Sequence, residues 1–120
     1  MRYMMLVYAP PVQMPMDPQA AQAALQEHMG MHDELMREGV MKIAERLYGE
    51  DTATTVSVRD GKTVSTDGPF VETKEQLGGV YVFECEDLDA AIAIAARIPT
   101  SRHGHIEVRP VMVAPIEAEL

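Results

Sequence analysis

Two histidines on the first predicted helix have the side chains and the spacing best suited to acid–base or metal chemistry. His28 and His32 are four residues apart, so they lie on one face of a helix. At about 100° per residue, His32 lies near the centre of an apolar face made of Ala21, Leu25, Leu35 and Met36. Such a face fits half of a metal site, an acid/base histidine at a cleft edge, or histidines bonded to backbone or water. Because two imidazoles supply only two ligands, we predict no metal site.

Two further histidines, His103 and His105, flank Gly104 just before the last predicted strand. They would reach the first helix only if this loop folded back over it. We therefore predict that the loop is solvated.

Residues 67–75 form the densest cluster of functional side chains in the sequence. A turn accounts for Asp67-Gly68-Pro69, since aspartate bonds to nearby backbone, glycine allows unusual dihedral angles and proline fixes its own φ. The functional alternative places Asp67 or Glu72 at the mouth of a pocket, with Lys74 as a charge partner or an anion anchor. The sequence leaves both interpretations open.

The last predicted strand carries two charges on one face. Glu107 and Arg109 alternate with the apolar Ile106 and Val108. This face is either a solvated edge or a pocket floor on which Arg109 binds an anionic ligand through its planar guanidinium.

Composition and missing motifs exclude several classes of protein. The 120 residues include 10 basic and 19 acidic side chains, a net charge of −9 that argues against nucleic-acid binding. The sequence has no phosphate-binding loop, dinucleotide fingerprint or nucleophile elbow, and we predict no cofactor. The single cysteine, Cys85, falls within a predicted strand, where a thiol is usually inert.

No apolar run approaches the ~20 residues that a membrane span requires. The N-terminal run from Tyr3 to Tyr8 is too short for the core of a signal peptide, and Pro10-Pro11 follows it. We expect one cytoplasmic domain over residues 1–120, with no membrane partner.

The candidate residues must be positioned by a mixed set of strands and helices. Period-two patterns and β-branched residues predict the strands Arg2–Tyr8, Val40–Leu47, Thr52–Arg59, Lys62–Thr66, Val80–Cys85 and His105–Val113. Capping residues predict the helices Pro18–Glu38 and Leu88–Ile98, and the pair Thr73 and Gln76 predicts a helical turn over Lys74–Leu77. The stretch Val12–Met16 is predicted to be a loop, and the tail after Pro115 to be frayed.

Asp60-Gly61 separates two β-forming runs, which is the strongest hairpin signal in the chain. The order of elements is strand, helix, strand, hairpin, strand, helix, strand. This order predicts an α+β fold, a ferredoxin-like βαββαβ sandwich with an inserted hairpin.

The strands are apolar on both faces, whereas two helices suffice to cover only one. An uncovered apolar face of several hundred Å² is more than a soluble monomer normally exposes. The sequence therefore predicts a homodimer in which a second copy covers that face.

Residues 67–79, with the sequence DGPFVETKEQLGG, resemble the signature of the DGPF group of YCII-related proteins. The opening Arg2–Tyr8, the hairpin around Asp60-Gly61 and the closing Glu107–Pro110 also fit this family. The resemblance spans almost the whole chain. It implies a ferredoxin-like subunit that pairs into a dimeric α+β barrel with an active-site cleft.

Membership of the DGPF branch also implies a link to extracytoplasmic-function sigma factors, whose genes often neighbour those of its members. The founding branch is thought to pair a histidine on the first helix with an aspartate at the end of the second. His28 matches that histidine, but Ile98 occupies the position of the aspartate. The histidine–aspartate pair is therefore incomplete in this sequence, and Asp67 is the carboxylate that we expect to take the place of the missing aspartate.

Two functions remain from the sequence. The first is a regulatory or binding protein for an unknown small molecule, with a cleft near Asp67, Glu72 and Arg109. The second is a cofactor-independent enzyme that transfers a proton on a small organic substrate, with His28 as base and Asp67 as its orienting partner.

Overall fold

In the computed structural model, a four-stranded antiparallel sheet carries two α-helices on one face, and a separate β-hairpin extends from it. The structure describes residues 1–11 and 17–112. The strands are β1 (Arg2–Ala9), β2 (Met41–Arg46), β3 (Thr54–Arg59), β4 (Lys62–Asp67), β5 (Gln76–Glu84) and β6 (His105–Pro110). The helices are α1 (Pro18–Glu38) and α2 (Leu88–Arg97), and two 3-10 turns cover Glu50–Thr52 and Pro99–Arg102.

The main sheet has the strand order β2-β5-β1-β6. β1 lies in the centre, where it pairs antiparallel with both β5 and β6. With the hairpin set aside, the chain follows the predicted βαββαβ order. The mixed α+β architecture is consistent with a ferredoxin-like fold.

Both helices begin where their capping residues predict, α1 ends as predicted, and α2 ends at Arg97, one residue earlier than predicted. The Asp17 carboxylate accepts a hydrogen bond from the Ala20 amide at 3.0 Å, and Pro18 takes the first helical position. Gly39 ends α1 with a left-handed φ of 74°. The Asp87 carboxylate caps α2 through the Ala90 amide at 2.8 Å.

The core lies between the helices and one face of the sheet. Its largest fully buried side chains are Met5 on β1, Phe83 on β5, Leu35 on α1 and Ile98 after α2. Strand register assigns the apolar residues of the opposite face, which are Met4, Leu6, Ile43, Val80 and Val82. The prediction of two apolar faces is therefore confirmed, and the helices cover only one of them.

The predicted hairpin is also confirmed. Asp60 and Gly61 connect β3 to β4 with φ values of 53° and 74°, as a two-residue turn requires. Within residues 1–11 and 17–112, these two strands pair only with each other and form a sheet of their own. We call residues 54–67 the arm.

The prediction of a helical turn over Lys74–Leu77 is wrong. Gln76 and Leu77 begin β5, where they pair with Ala9 and Tyr8 of β1. The Thr73 hydroxyl donates to the Glu75 carbonyl oxygen instead of capping a helix. The pairing of Gln76 and Leu77 with β1 outweighs the local capping pattern. Gly78 and Gly79 therefore lie within β5.

Other boundaries differ by a few residues. β3 begins at Thr54 because Glu50–Thr52 form a 3-10 turn, and β6 ends at Pro110. The predicted loop Val12–Met16 and the tail after Pro115 lie outside the described residues. None of the helices in the described ranges is long and apolar enough to cross a membrane.

Candidate functional site

A cavity of about 320 Å³ lies between α1 and the edge of the sheet formed by β2 and β5. We call it the α1 cavity. Its residues from α1 are Leu25, His28, Met29, His32 and Asp33, and those from the sheet are Ala44, Glu45, Arg46 and Tyr81. The cavity thus combines an apolar wall with a small number of ionisable groups.

An irregularity in β2 brings Arg46 to this cavity. The register between β2 and β5 shifts between Met41 and Ile43, so that Ala44 rather than Ile43 stands opposite Tyr81. Tyr81 packs against the core beneath the helices. Ala44 and Arg46, two residues apart, therefore share the face that carries α1.

His28 is half-buried, and its surroundings favour the neutral imidazole. Burial lowers its pKa below the ordinary value of 6.5, and the positive charge of Arg46 lowers the pKa further. Glu27 raises it, whereas His103 and Arg102 lower it by smaller amounts. At neutral pH the His28 side chain is consequently able to accept a proton.

The loop before β6 lies closer to α1 than predicted. Arg102 forms an ion pair with Glu27, the neighbour of His28, so the second 3-10 turn contacts the helix. His103 is exposed but lies near enough to influence His28. His105 is also exposed, and its Nδ1 lies 2.7 Å from a carboxylate oxygen of Glu75.

Tyr81 supplies a phenol to the α1 cavity. Burial raises the pKa of its hydroxyl, so the group stays protonated and can donate a hydrogen bond, while Arg46 acts in the opposite direction. The Tyr81 ring stacks on Phe83 with a centroid separation of 5.7 Å, which fixes its position. Arg46 therefore lies within electrostatic reach of both His28 and Tyr81.

His32 does not lie at the centre of the buried face, contrary to the prediction. The buried residues of α1 are Met31 and Leu35, whereas Leu25 and Met36 are each more than half exposed. Methionine, leucine and alanine occur on several faces of this helix, so periodicity alone did not identify the face of α1 that packs against the sheet. The His32 Nδ1 is 3.9 Å from a carboxylate oxygen of Asp33 at the cavity rim.

Across residues 1–11 and 17–112, no three or more His, Cys, Asp or Glu side chains form a group that could hold a metal ion. Burial raises the pKa of the Cys85 thiol, which disfavours the reactive thiolate.

The structure does not bring the other predicted site residues to His28. Asp67 ends β4 in the arm, and it is neither a cavity residue nor one of the charged groups that act on His28. Glu72 and Lys74 are exposed in the segment between β4 and β5. Ile98, where the founding branch has an aspartate, is fully buried in the core.

Glu107 and Arg109 do share one face of β6, as predicted. The Arg109 Nε is 3.4 Å from a Glu107 carboxylate oxygen, and both side chains are at least half exposed. Their register with Leu6 and Met4 places them on the face opposite the helices. They are therefore separate from the α1 cavity.

Sequence reasoning missed Arg46 and Tyr81. Each falls within a predicted strand, but β2 also carries Lys42 and Glu45, so the sequence offered no signal that distinguished Arg46. The irregularity between Met41 and Ile43 changes which β2 residues face the helix, and no sequence pattern marks it.

Comparisons with known proteins support the fold. The sequence profile of the YCII-related domain matches residues 1–115. An uncharacterized protein R00369 from Rhizobium meliloti (strain 1021) is 42% identical over 67 residues, which are 54% of this chain and 54% of that protein. The chain thus matches about half the length of this curated relative.

A solved structure is similar over nearly the whole fold. It is 5-chloro-2-hydroxyhydroquinone dehydrochlorinase (TftG) from Burkholderia phenoliruptrix AC1100, in complex with 2,5-dihydroxybenzoquinone. The match has a TM-score of 0.56 and covers 97% of this chain and 98% of that one, at 12% sequence identity. At this identity the likeness concerns the fold alone.

Proposed function

Because the chain belongs to the YCII-related domain family, we propose that the α1 cavity binds a small organic molecule and that His28 exchanges a proton with it. The observation that carries this proposal is a half-buried imidazole, held neutral by burial and by Arg46, inside a cavity large enough for a ligand. A neutral histidine near physiological pH is the most common general base in enzymes.

The chemistry would use the groups that surround the imidazole. His28 would take a proton from the bound molecule, and the negative charge that develops would lie near the Arg46 guanidinium and the Tyr81 hydroxyl. Fixed donors aimed at a developing charge stabilise the transition state more than the ground state. The fold likeness to a dehydrochlorinase supports the choice of an enzyme over a structural role.

A second candidate is a binding or regulatory protein that does not turn its ligand over. It is favoured by the position of the nearby carboxylates, because Glu27 is paired with Arg102 and Asp67 lies in the arm. The DGPF signature over residues 67–79 suits a role beside extracytoplasmic-function sigma factors. Under either candidate we propose a cytoplasmic homodimer of YCII-related domains from the DGPF branch.

Turnover of small hydroxyquinones and phenols, beginning with 2,5-dihydroxybenzoquinone, tests the enzyme proposal. We expect a rate that falls at acidic pH with an inflection below 6.5, as His28 becomes protonated. His28→Asn should lower kcat/KM by roughly 10²–10⁴-fold, the usual contribution of a general base.

His105→Asn is the matched control, since His105 is exposed, pairs with Glu75 outside the α1 cavity and should leave the rate near that of the wild type. Asp67→Asn tests the predicted partner of His28 separately. Turnover that survives in His28→Asn would exclude His28 as the base, and binding without turnover would favour the regulatory candidate.

A further inference from the structure

We propose that Arg46 binds a negatively charged oxygen of the ligand, so that the α1 cavity selects a small organic anion of the carboxylate or phenolate class. This inference rests on the proposed function because it concerns the same cavity. It adds the charge and size of the ligand and a residue that determines specificity.

The first argument is that Arg46 has no carboxylate partner within the described ranges. Of the seven arginines, four form ion pairs in this part of the chain, and these are Arg2, Arg97, Arg102 and Arg109. Arg37 and Arg59 are likewise outside those ion pairs, but neither contributes to the α1 cavity. Arg46 is thus the arginine of the described chain that combines an available guanidinium with a place in a ligand-sized cavity.

The second argument is the convergence of donors on one region. His28, Arg46 and Tyr81 all line the α1 cavity, so these three groups lie near one another. An oxyanion beside Arg46 would meet a guanidinium, a phenol and an imidazole. Hydrogen bonds from a charged donor to an anionic oxygen are about twice as strong as neutral ones.

Two acidic residues also line the cavity, and their placement is compatible with a preference for an anionic ligand. Asp33 lies at the rim beside His32. Glu45 borders the cavity, although its register with Val80 directs its side chain to the opposite face of β2 from Arg46. A ligand anion at Arg46 therefore lies closer to the guanidinium than to the Glu45 carboxylate.

The apolar wall and the volume set the size of the ligand. Leu25, Met29, Ala44 and the Tyr81 ring offer hydrocarbon surface next to the ionisable groups. The cavity of about 320 Å³ is at the lower end of the ~300–1,000 Å³ typical of ligand pockets. A single-ring organic acid fits this combination better than a nucleotide or a larger cofactor.

Benzoate and benzamide form a matched probe pair, because they share a ring and differ in charge. We expect benzoate to bind at millimolar concentration and to shift the ring-proton NMR signals of His28, and we expect benzamide to bind more weakly. Arg46→Gln should weaken benzoate binding by about tenfold or more and leave benzamide within twofold. Without any ligand, the same variant should raise the pKa of His28, which shows that the substitution acts at this site.

Arg59→Gln is the matched control, since it removes an exposed arginine of the arm and should leave benzoate binding unchanged. Arg109→Gln tests the alternative anion site on β6. Weaker benzoate binding in Arg109→Gln but not in Arg46→Gln would overturn the inference. So would equal affinity for benzoate and benzamide, or no shift of the His28 signals by benzoate.

The two proposals can fail separately. If Arg46→Gln leaves anion binding intact while His28→Asn abolishes turnover, the inference fails and the proposed function stands. If benzoate binding depends on Arg46 but turnover does not depend on His28, the proposed base is wrong and the inference stands.

Discussion

His28 owes its chemical character to three features of its surroundings. Its half-buried position removes water from the imidazole, Arg46 adds a nearby positive charge, and the ion pair with Arg102 occupies the neighbouring Glu27. Burial and the charge of Arg46 disfavour protonation of His28. The ion pair with Arg102 weakens the effect of the Glu27 carboxylate, which would favour that protonation. The proposed role of His28 as a base therefore rests on its position on α1 beside the edge of the sheet, and not on its neighbours in sequence.

This environment predicts how stability depends on pH. The folded pKa of His28 lies below its unfolded value of 6.5, so the unfolded chain binds the proton more tightly. Its contribution to the free energy of unfolding is present above pH 6.5 and is lost as pH falls through the lower folded pKa. Urea unfolding between about pH 7.5 and about pH 5 should show this loss in the wild type and a smaller one in His28→Asn. If His32→Asn reduces the loss equally, the effect does not belong to His28.

At the residue scale, the sequence offered His28 as a candidate base but did not identify the residues that surround it. The spacing of His28 and His32 pointed to one face of the first helix, and the resemblance to the YCII-related family then singled out His28. Arg46 and Tyr81 could not be assigned, because their orientation depends on a register shift in β2 that local patterns do not encode. The proposed role of Asp67 still awaits its test.

At the scale of elements, local sequence patterns gave correct predictions where they agreed with the pairing of the strands and the packing of the helices. Asp17 and Asp87 cap the two helices, and Asp60-Gly61 forms the hairpin turn. The Thr73 and Gln76 pattern failed because Gln76 pairs with β1 instead. A capping pattern contributes about 1 kcal/mol, whereas extending a central strand pair adds several hydrogen bonds and buries side chains.

The turn that ends the arm should depend on Gly68. This residue has a φ of 103°, where an L side chain is strained, and its amide donates to the Ala53 carbonyl oxygen at 2.8 Å. Its own carbonyl oxygen accepts a bond from the Thr55 hydroxyl at 2.7 Å. Gly68→Val should therefore lower the free energy of unfolding by about 1–3 kcal/mol, measured by chemical denaturation.

Gly30 provides the control for this substitution. It lies within α1, and a methyl group added to its Cα would have no neighbouring atom within 4 Å outside the local helix backbone. Gly30→Ala should therefore stabilise the protein by up to about 1 kcal/mol. An unchanged free energy of unfolding in Gly68→Val would show that the turn tolerates an ordinary residue.

At the scale of the whole molecule, the fold is flat and open on one side. The smallest extent of the molecule is 19 Å. Its radius of gyration is 16.9 Å, whereas a globular domain of 100 residues has a radius of gyration of about 13 Å. The arm contributes to this shape, since its strands pair only with each other. Both helices pack on one side of the sheet, which leaves its other face open.

This open face should be the surface on which two copies associate. Ile43 is 46% exposed there, and Met4, Leu6 and Val80 are half-buried around it. A two-fold axis would place these residues against their counterparts, and the Glu107–Arg109 pair of the edge strand would lie at the border of the contact. Light scattering should return twice the 13.3 kDa of the chain at micromolar concentration.

Leu6→Glu should convert the dimer into a monomer, because it introduces a charge at the centre of the open face on β1 without touching the core beneath the helices. Leu88→Glu is the matched control, since Leu88 begins α2 and is 49% exposed away from this face. That variant should keep the dimer mass. A circular dichroism spectrum like that of the wild type would show that the Leu6→Glu monomer is folded. A wild-type mass near 13.3 kDa at tens of micromolar would exclude the association, and a dimer that persists in Leu6→Glu would assign it to another surface.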